Sequence, residues 1–393
     1  MVDSKRSCSA KLSGRVSKGL VDLPQEIISD ILSRLPIELI LTCRIVCRSW
    51  NHLTQDPDFV NLQLSRSNYQ PTLIIEPLPA SGINFTVDHL LLLDAEHKIK
   101  RIPIESMLLE EYEIMCSCSG LLCLSPITKL DPMVIYNPMT RQRMILPSLD
   151  CEAIRSHEDG FLRSHEAGLG YDLSTGRYKV VREYKYGNES SRFEILSLGE
   201  SSWRELSAPH SLNDCYWDGS PSLFWNGALY WKIIKDSNGD CNISILAFDL
   251  SEEKFQILSF SNKFSFPWSS CDLLDLDGRL TLVEHKYDTN MMKLWRLSGK
   301  KVGDFSLCLE QIYDTHVKWT SEMSPMVISG LNNNGYLLCV TLWKDGAQRT
   351  YITRYFPQNA EYWHLDIPVI TELFNTYSFR PSLVSPVAAS LLP

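Results

Sequence analysis

Large aliphatic residues follow each other at helical spacing in the segment from 23 to 50. Pro24 suits the first turn of a helix, and the apolar positions behind it recur along one side. These positions are Ile27, Ile28, Ile31, Leu32 and Leu35. Pro36 would start a second helix, because proline is tolerated in the first helical turn and disfavours helix in the residue before it. The pattern predicts two short helices that meet at a corner.

The second predicted helix is apolar on two sides. One side carries Leu39, Cys43, Val46 and Trp50, and another carries Ile37, Leu41 and Ile45. A helix of this kind normally lies inside a protein, but a unit of about forty residues is too small to bury it completely. We therefore expect part of this surface to be covered by a partner, with a helical cap buried against the rest of the chain as the alternative.

After residue 70 the chain changes to short aliphatic or aromatic runs separated by Gly, Asn and Asp, which predicts an all-β region. Five similar segments follow one another, among them "SGLLCLSP", "LFWNGALYWKII" and "LLDLDGRLTLVEH", and each is followed by a second hairpin. Their glycines, at positions 120, 170, 227, 278 and 335, are 50 to 57 residues apart. This spacing is that of a four-stranded blade, and we interpret each glycine as part of a turn between strands.

The fold class predicted for the whole chain is α+β and multidomain, with helices first and then an all-β propeller-like, kelch-type domain of about six blades. An irregular stack of two sheets is the alternative. A partial earlier copy at 71–104 provides an incomplete first blade, and "SFRPSLVSPV" near the C-terminus could supply its missing strand and close the ring. The predicted domains are a disordered basic tail at 1–22, a helical region at 23–66, the β domain at 70–375, and a C-terminal strand or tail at 376–393.

Several residues of the helical segment carry a resemblance to the F-box. They are Leu23-Pro24, Ile27-Ile28, Ile31, Leu35-Pro36, Cys43-Arg44, Val46, Arg48-Ser49-Trp50 and Asp56-Pro57-Asp58-Phe59. The resemblance implies an N-terminal three-helix F-box. Because known F-boxes bind the Skp adaptor of cullin-RING ubiquitin ligases, it also implies the same adaptor here, with cullin and RING subunits joined through it. By that analogy the adaptor-binding residues are Leu23, Pro24, Ile28, Leu32, Leu35, Pro36, Ile40 and Val46.

The β region resembles the F-box-associated domain of plant F-box proteins through "GLLCL", "VIYNPMTRQRMILP", "GYDLSTGRYKVV", "SWREL" and "LFWNGALYW". The resemblance implies that this domain captures a protein substrate of unknown identity, in the cytoplasm, the nucleus or both. The subunit itself would not be an enzyme. Two alternatives remain: a non-ligase or lectin-like binding module that uses its F-box only for adaptor association, and a propeller enzyme with an F-box appended.

Antiparallel order places the tight turn inside each hairpin on one face of the β domain and the links between hairpins and blades on the other. The longer segments fall on the second face, so we expect substrate contacts there. The candidates are aromatic residues and one histidine of these segments: Tyr216, Trp217, Phe264, Phe266, Trp268, His316 and Trp319. The alternative is that they pack between blades.

Charge and composition limit the classes of partner that the sequence predicts. The net charge is −9, with +3 over residues 1–22 and −11 after residue 66, so no basic nucleic-acid stripe is present. No apolar run approaches the length of a membrane span. The twelve cysteines form no CxxC pair, and the cluster His157, Glu158, Asp159, His165 and Glu166, taken as one loop, lacks a third fixed ligand. We therefore expect no metal and no cofactor.

Overall fold

The structure is a computed structural model of the chain, and its two compact units are Met1–Arg66 and Ser67–Pro393. The structure describes residues 23–387 except for 68–71, 78–87, 95–97, 106–107, 109–110, 128–131, 149–161, 187–189, 213–214, 218, 238–239, 260–268, 277, 287–290, 299–305, 315–322, 332–334, 345–346, 357–360 and 366–373. The predicted tail at 1–22 lies outside the described residues.

Four helices make up the described part of the first unit. They are α1 (Gln25–Leu32), α2 (Ile37–Cys43), α3 (Arg48–Leu53) and α4 (Pro57–Arg66). Pro24 and Pro36 precede α1 and α2, as the sequence predicts. The prediction of three helices was wrong, because Asp56 and Pro57 start a fourth. The Asp56 carboxylate accepts a hydrogen bond of 2.9 Å from the backbone N–H of Asp58, and proline is favoured at the first helical position.

Two arginines tie the short helices together. The Arg66 guanidinium of α4 lies 2.7 Å from the Asp30 carboxylate of α1 and donates a 2.7 Å hydrogen bond to the Ser33 hydroxyl. Arg44, after α2, donates to the Thr54 hydroxyl and to its carbonyl oxygen at 3.2 and 3.0 Å, just beyond the end of α3. These bonds satisfy polar groups at helix ends, where backbone carbonyls lack partners inside the helix.

The regular structure described in the second unit is almost entirely β-strand. In chain order they are β1 (Thr72–Pro77), β2 (His89–Leu93), β3 (Ile99–Pro103), β4 (Tyr112–Cys118), β5 (Leu121–Pro126), β6 (Val134–Asn137), β7 (Gln142–Ile145), β8 (Leu162–Asp172), β9 (Arg177–Tyr186), β10 (Arg192–Ser197), β11 (Arg204–Leu206), β12 (Cys215–Trp217), β13 (Leu223–Trp225), β14 (Ala228–Ser237), β15 (Asp240–Asp249), β16 (Lys254–Ser259), β17 (Ser269–Leu276), β18 (Arg279–Lys286), β19 (Met291–Ser298), β20 (Ser306–Asp314), β21 (Met323–Leu331), β22 (Gly335–Lys344), β23 (Ala347–Phe356), β24 (Glu361–His364) and β25 (Phe374–Phe379).

The described strands form antiparallel sheets that follow the chain. Five sheets use consecutive strands, β4–β7, β8–β11, β12–β16, β17–β20 and β21–β24, and one further sheet has the order β25-β1-β2-β3. The expectation of about six blades is therefore corrected to five blades of consecutive strands and one closing sheet built from both ends of the unit. The innermost strands contact each other in the cyclic order β25, β4, β8, β13, β17, β21 and back to β25, which is the arrangement of a β-propeller.

The closing strand lies earlier than the sequence predicts. All six residues of Phe374–Phe379 pair with β1, from Thr72 opposite Phe379 to Pro77 opposite Phe374. The expected segment, 378–387, overlaps this strand at its first two residues only. The remainder of that segment contacts the β4–β7 sheet instead, where the Asn137 amide donates hydrogen bonds to the carbonyl oxygens of Ser382 and Val384 at 3.1 and 2.7 Å.

Not every repeat glycine forms a turn. Gly120 and Gly227 follow Ser119 and Asn226 in turns where all four residues have positive φ, the geometry of a tight two-residue hairpin. Gly170, in contrast, lies inside β8, and a Cβ there would meet Leu250 Cδ1 at 2.5 Å. Its interpretation as a turn glycine was wrong. The position is required by close packing between two sheets, so glycine spacing followed the blades for two different physical reasons.

Candidate functional site

The helical unit exposes an unusual share of apolar surface. Six of the eleven large exposed apolar residues in the described chain lie between positions 23 and 46, and these are Leu23, Ile27, Ile31, Leu39, Ile45 and Val46. Leu23, Ile27 and Ile31 are four residues apart, so they share one side of α1. Single exposed apolar residues are normal on a protein surface, but a group of this density indicates an interaction site.

The turn after α2 holds the most exposed members of this group. Ile45 is 84% exposed and Val46 is 58% exposed. The two hydrogen bonds from the neighbouring Arg44 to Thr54 anchor this turn against the end of α3. Because Arg44 is fixed by these bonds, Ile45 and Val46 are presented on an ordered turn. Burial lowers the pKa of Arg44 from its usual value.

The predicted adaptor-binding residues divide into two groups. Leu23, Pro24, Pro36 and Val46 are exposed, Leu35 is half-buried, and Ile28, Leu32 and Ile40 are buried at 6%, 2% and 0% exposure. The buried residues pack inside the free chain, and for them the structure favours a role in supporting the helices. All eight remain predictions as adaptor contacts.

Sequence reasoning missed Ile27, Ile31, Leu39 and Ile45 as candidate contacts. The stripe along α1 was treated as one face, but Ile27 and Ile31 are exposed while Ile28 and Leu32 are buried. Neighbouring positions in a helix differ by 100° around its axis, so adjacent isoleucines cannot all face the core. The sequence signal for these contacts was the width of the apolar stripe on α1. Packing against one core needs a single row of apolar residues, so a second row indicates a second contact surface.

The β unit contains a cavity of about 300 Å³ at the ends of its inner strands. Its wall includes Ser117–Ser119 at the end of β4, Leu223–Trp225 of β13, Asp272–Asp275 of β17 and Thr376–Ser378 of β25. These four strands belong to different sheets, and each approaches the cavity with its C-terminal end. The cavity is therefore on the face of the tight hairpin turns.

Hydrogen bonds fix much of this wall. The Trp225 indole N–H donates to the Gly278 carbonyl at 3.0 Å, and the Ser222 hydroxyl donates to the Ala167 carbonyl at 2.9 Å. Arg380 donates from Nε and Nη2 to the hydroxyl and the carbonyl oxygen of Ser67 at 3.0 and 3.1 Å. Burial raises the pKa of the Cys118 thiol to about 12, so this group is neutral at physiological pH and does not provide a thiolate nucleophile.

Of the predicted substrate-binding residues, only two lie in the described part of the chain. Tyr216 is 62% exposed on the edge strand β12, and Trp217 is half-buried, with ring centroids 6.3 Å from Trp231 and 6.2 Å from Phe193. Phe264, Phe266, Trp268, His316 and Trp319 lie outside the described residues. Tyr216 is thus available for contact, while the contacts of Trp217 are those of a packing residue.

Tyr216 and the cavity lie at opposite ends of the β unit. Tyr216 pairs with Ile234 of β14, whereas the turn at Asn226 and Gly227 precedes the first residue of that strand. At about 3.3 Å per residue, six residues of strand separate the two places by about 20 Å. Sequence reasoning placed the binding face by loop length alone and so did not identify the cavity, whose lining residues are spread over four sheets.

The candidate metal loop is not a single loop. His165 and Glu166 lie in β8, and His157, Glu158 and Asp159 lie outside the described residues. Grouping all five in one flexible loop was therefore wrong. Across the described part of the chain, no group of three or more His, Cys, Asp or Glu residues is arranged to hold a metal ion.

No helix in the described residues combines the length and the apolar character that crossing a membrane requires.

Comparison with known proteins accounts for both units. The family model of the F-box associated beta propeller domain matches residues 93–379, and an F-box-like model matches residues 20–60. F-box protein At5g65850 of Arabidopsis thaliana is 28% identical over 77% of this chain and 74% of its own length. Putative F-box protein At3g10240 of the same plant is 25% identical, covering 93% and 88%, and F-box protein At3g07870 is 29% identical, covering 74% and 74%. The chain belongs to the F-box associated beta propeller domain family and is a plant F-box protein with this domain in its C-terminal part.

Proposed function

We propose that this chain is the substrate-recognition subunit of a Skp–cullin–F-box ubiquitin ligase complex. The helical unit binds a Skp-type adaptor, cullin and RING subunits join through that adaptor, and the β-propeller captures a protein for ubiquitination. The observation that carries the proposal is the group of exposed apolar residues between Leu23 and Val46, within the segment that matches the F-box-like model.

The adaptor interface of this proposal centres on the exposed residues. Leu39, Ile45 and Val46 are 52%, 84% and 58% exposed, and covering apolar surface of this kind contributes about 25 cal/mol per Å² to association before its costs are subtracted. Leu23, Pro24 and Pro36 extend the surface, whereas Ile28, Leu32 and Ile40 hold the helices beneath it.

In this proposal the propeller contributes by holding the substrate close to the conjugating enzyme. A substrate held beside a charged conjugating enzyme reacts in an effectively intramolecular step, so the subunit needs no catalytic residue of its own. Its function is to bind the adaptor and the substrate, in the cytoplasm, the nucleus or both. Two surfaces of the β unit are available for capture. The first is the face of the links between hairpins and blades, here called the loop face, which carries Tyr216. The second is the cavity on the face of the tight hairpin turns, here called the tight-turn face.

Adaptor binding by the full chain tests the proposal. We expect a purified Skp-type adaptor to form a complex with the wild-type protein in size-exclusion chromatography and calorimetry. The double substitution Leu39→Asp and Ile45→Asp should weaken binding at least tenfold, because it places two charges in the apolar interface. Leu173→Asp is the matched control, since Leu173 is 76% exposed but belongs to the β unit.

The outcomes separate the proposal from its alternatives. A wild-type chain that binds no Skp-type adaptor, or a double variant that binds as tightly as the Leu173→Asp control, would overturn the adaptor assignment. Cullin should co-purify with the adaptor complex from plant cells. Adaptor without cullin would instead favour a non-ligase binding module that uses its F-box for adaptor association only.

A further inference from the structure

We propose that Asn226 is a site of spontaneous deamidation, where the folded protein converts a neutral carboxamide to a carboxylate. Asn226 and Gly227 form the tight turn between β13 and β14, and Asn226 belongs to the wall of the cavity at the tight-turn face. The modification goes beyond the proposed function and is independent of adaptor binding. It gives this face of the propeller a charge that the sequence does not encode.

The reaction needs no co-reactant other than water. The backbone nitrogen of Gly227 attacks Cγ of Asn226 and forms a bond to it, while the bond from Cγ to Nδ2 breaks. The carboxamide nitrogen takes up the proton of the Gly227 amide and leaves as ammonia, so a five-membered succinimide ring remains. Water then opens the ring at either carbonyl and gives aspartate or isoaspartate. Glycine at the following position favours the attack, because it has no Cβ next to the nitrogen.

Both reacting groups are open in the described part of the chain. Asn226 is exposed, and its carboxamide has no hydrogen-bond partner among the described residues. The Gly227 N–H has none among them either, whereas the Gly227 carbonyl oxygen accepts a hydrogen bond of 3.1 Å from the backbone N–H of Leu250. A Cβ on Gly227 would meet no atom within 4 Å. The approach of the nitrogen to Cγ therefore requires neither the loss of a described hydrogen bond of these two groups nor the displacement of a neighbour.

The turn can react without loss of strand pairing. Because β13 ends at Trp225 and β14 begins at Ala228, the two turn residues lie outside the paired strands. Ring closure requires the turn to relax locally, so we expect the folded chain to react more slowly than the unfolded chain.

The aspartate product is compatible with the turn. The φ angles of Asn226 and Gly227 are 48° and 80°, and a hairpin turn of this kind favours Asp-Gly as well as Asn-Gly. The equivalent turn of the next sheet has the sequence Asp277-Gly278. Isoaspartate, in contrast, adds a methylene group to the backbone and lengthens the turn.

Deamidation changes the charge of a candidate capture surface. Asn226 lines the cavity together with Ser119, Trp225 and Asp275. An aspartate side chain has an ordinary pKa of about 3.9 and is ionised at neutral pH, so each conversion adds a negative charge to this wall. Older protein molecules therefore present a more acidic tight-turn face than newly made ones, without the action of a modifying enzyme.

Peptide mapping of the full-length protein tests the inference. The folded protein is incubated at neutral and at mildly alkaline pH and then digested, and mass spectrometry with electron-transfer fragmentation distinguishes asparagine, aspartate and isoaspartate at each position. We expect aspartate and isoaspartate to accumulate at Asn226, and to do so faster at alkaline pH, because the attacking nitrogen must lose its proton. Isoaspartate identifies the succinimide route, since direct hydrolysis of the carboxamide gives aspartate alone.

Two other asparagines provide controls within the same digest. Asn375 is exposed but precedes β-branched Thr376 in a paired strand, so we expect at least about tenfold less product there than at Asn226. Asn137 precedes a proline, which has no N–H to lose, and should stay unmodified. The Asn-Gly pairs at 238–239 and 334–335 lie outside the described residues, and their peptides are measured separately.

A parallel incubation in urea and one variant complete the test. Asn226→Gln keeps a carboxamide but places it one methylene group further from the backbone, which disfavours the five-membered ring, so position 226 should then stay unmodified. Circular dichroism on heating shows that each incubated sample remains folded. Absence of isoaspartate at Asn226 in the folded protein, product at Asn226 in urea only, or equal amounts of product at Asn226 and Asn375 would overturn the inference.

Discussion

The Tyr377 hydroxyl donates a hydrogen bond of 2.9 Å to Oε2 of Glu76, across 301 positions of sequence. The Asn375 side-chain amide donates to the same oxygen at 3.2 Å. These residues lie on β25 and β1, the two strands that join the ends of the β unit in one sheet. Without β25, the edge of β1 would be unpaired and the ring would be open. Closure therefore depends on Phe374–Phe379, near the C-terminal end of the β unit.

Removal of residues 374–393 should therefore destabilise the entire β unit. We expect the midpoint of thermal unfolding to fall by more than about 5 °C, because six paired residues of β1 lose their partners. Differential scanning calorimetry measures the change. Removal of 388–393, which leaves β25 intact, is the matched control. Equal midpoints for the two truncations would show that closure by β25 does not stabilise the ring.

The Glu76 carboxyl makes closure dependent on pH. Burial raises the pKa of Glu76 above its usual value of 4.5, although hydrogen bonds from Tyr377 and Asn375 lower it in part. The folded state thus holds this proton more tightly than the unfolded state, so the contribution of Glu76 to stability is complete below about pH 4.5 and declines as pH rises through the folded pKa.

Glu76→Gln should remove this decline, because glutamine keeps a carbonyl oxygen for Tyr377 and carries no charge. We expect the free energy of unfolding to vary less between pH 4.5 and pH 7 in the variant than in the wild type. Urea denaturation at several pH values measures the slope. An identical slope in the two proteins would contradict the assignment of the titration to Glu76.

A second pH effect comes from an ion pair between two sheets. Lys179 Nζ of β9 lies 2.8 Å from Asp172 Oδ2 and 3.0 Å from Glu253 Oε1, beyond the end of β15. Burial raises the pKa of Asp172, but the hydrogen bonds from Lys179, Ser174 and Thr175 outweigh it and hold the pKa at about 2. Stability from this group is therefore present above its usual pKa of 3.8 and is lost as pH falls toward about 2.

Lys179→Met should lower the free energy of unfolding by about 3–5 kcal/mol, because it leaves the buried Asp172 carboxylate without its cation, while Glu253 keeps its ion pair with Arg204. The double variant Lys179→Met and Asp172→Asn should recover part of this loss. Lys254→Met is the matched control, since its pair with Glu252 is exposed, and it should change stability by less than about 1 kcal/mol. Urea denaturation at pH 7 compares them, and equal losses for Lys179→Met and Lys254→Met would contradict the prediction.

Patterns within one element were sufficient to predict where α1 and α2 begin and where two tight hairpin turns lie. Pro24 and Pro36 mark helix starts through the chemistry of proline alone, and the turns at Gly120 and Gly227 follow from the need for positive φ. Gly170 shows the limit of this reasoning. Its small size is required by Leu250, 80 positions later, and such a contact leaves no local pattern in the sequence.

The candidate surfaces were predictable to different degrees. A second apolar row on the helices pointed to a partner, but it could not distinguish exposed Ile27 from buried Ile28 without the packing of the helices. The cavity was beyond sequence reasoning, because Asp275 and Thr376 come from strands of different sheets. Their proximity is a consequence of ring closure, which depends on long-range pairing.

Tyr216 and Trp217 are neighbours in the sequence with different expected roles. The Trp217 ring packs against Trp231 and Phe193 in a buried cluster, so Trp217→Ala should lower the free energy of unfolding by about 2 kcal/mol. Tyr216 is 62% exposed, and Tyr216→Ala should change stability by less than about 0.5 kcal/mol while weakening substrate capture at the loop face. Urea denaturation measures the first effect, and proximity labelling with and without proteasome inhibition measures the second.

Leu173→Asp, at an exposed turn residue outside that face, should retain every protein that accumulates around the wild type under inhibition. If Tyr216→Ala retains them as well, capture does not use Tyr216, and the tight-turn face becomes the stronger candidate, because the cavity there lies about 20 Å away along the strand.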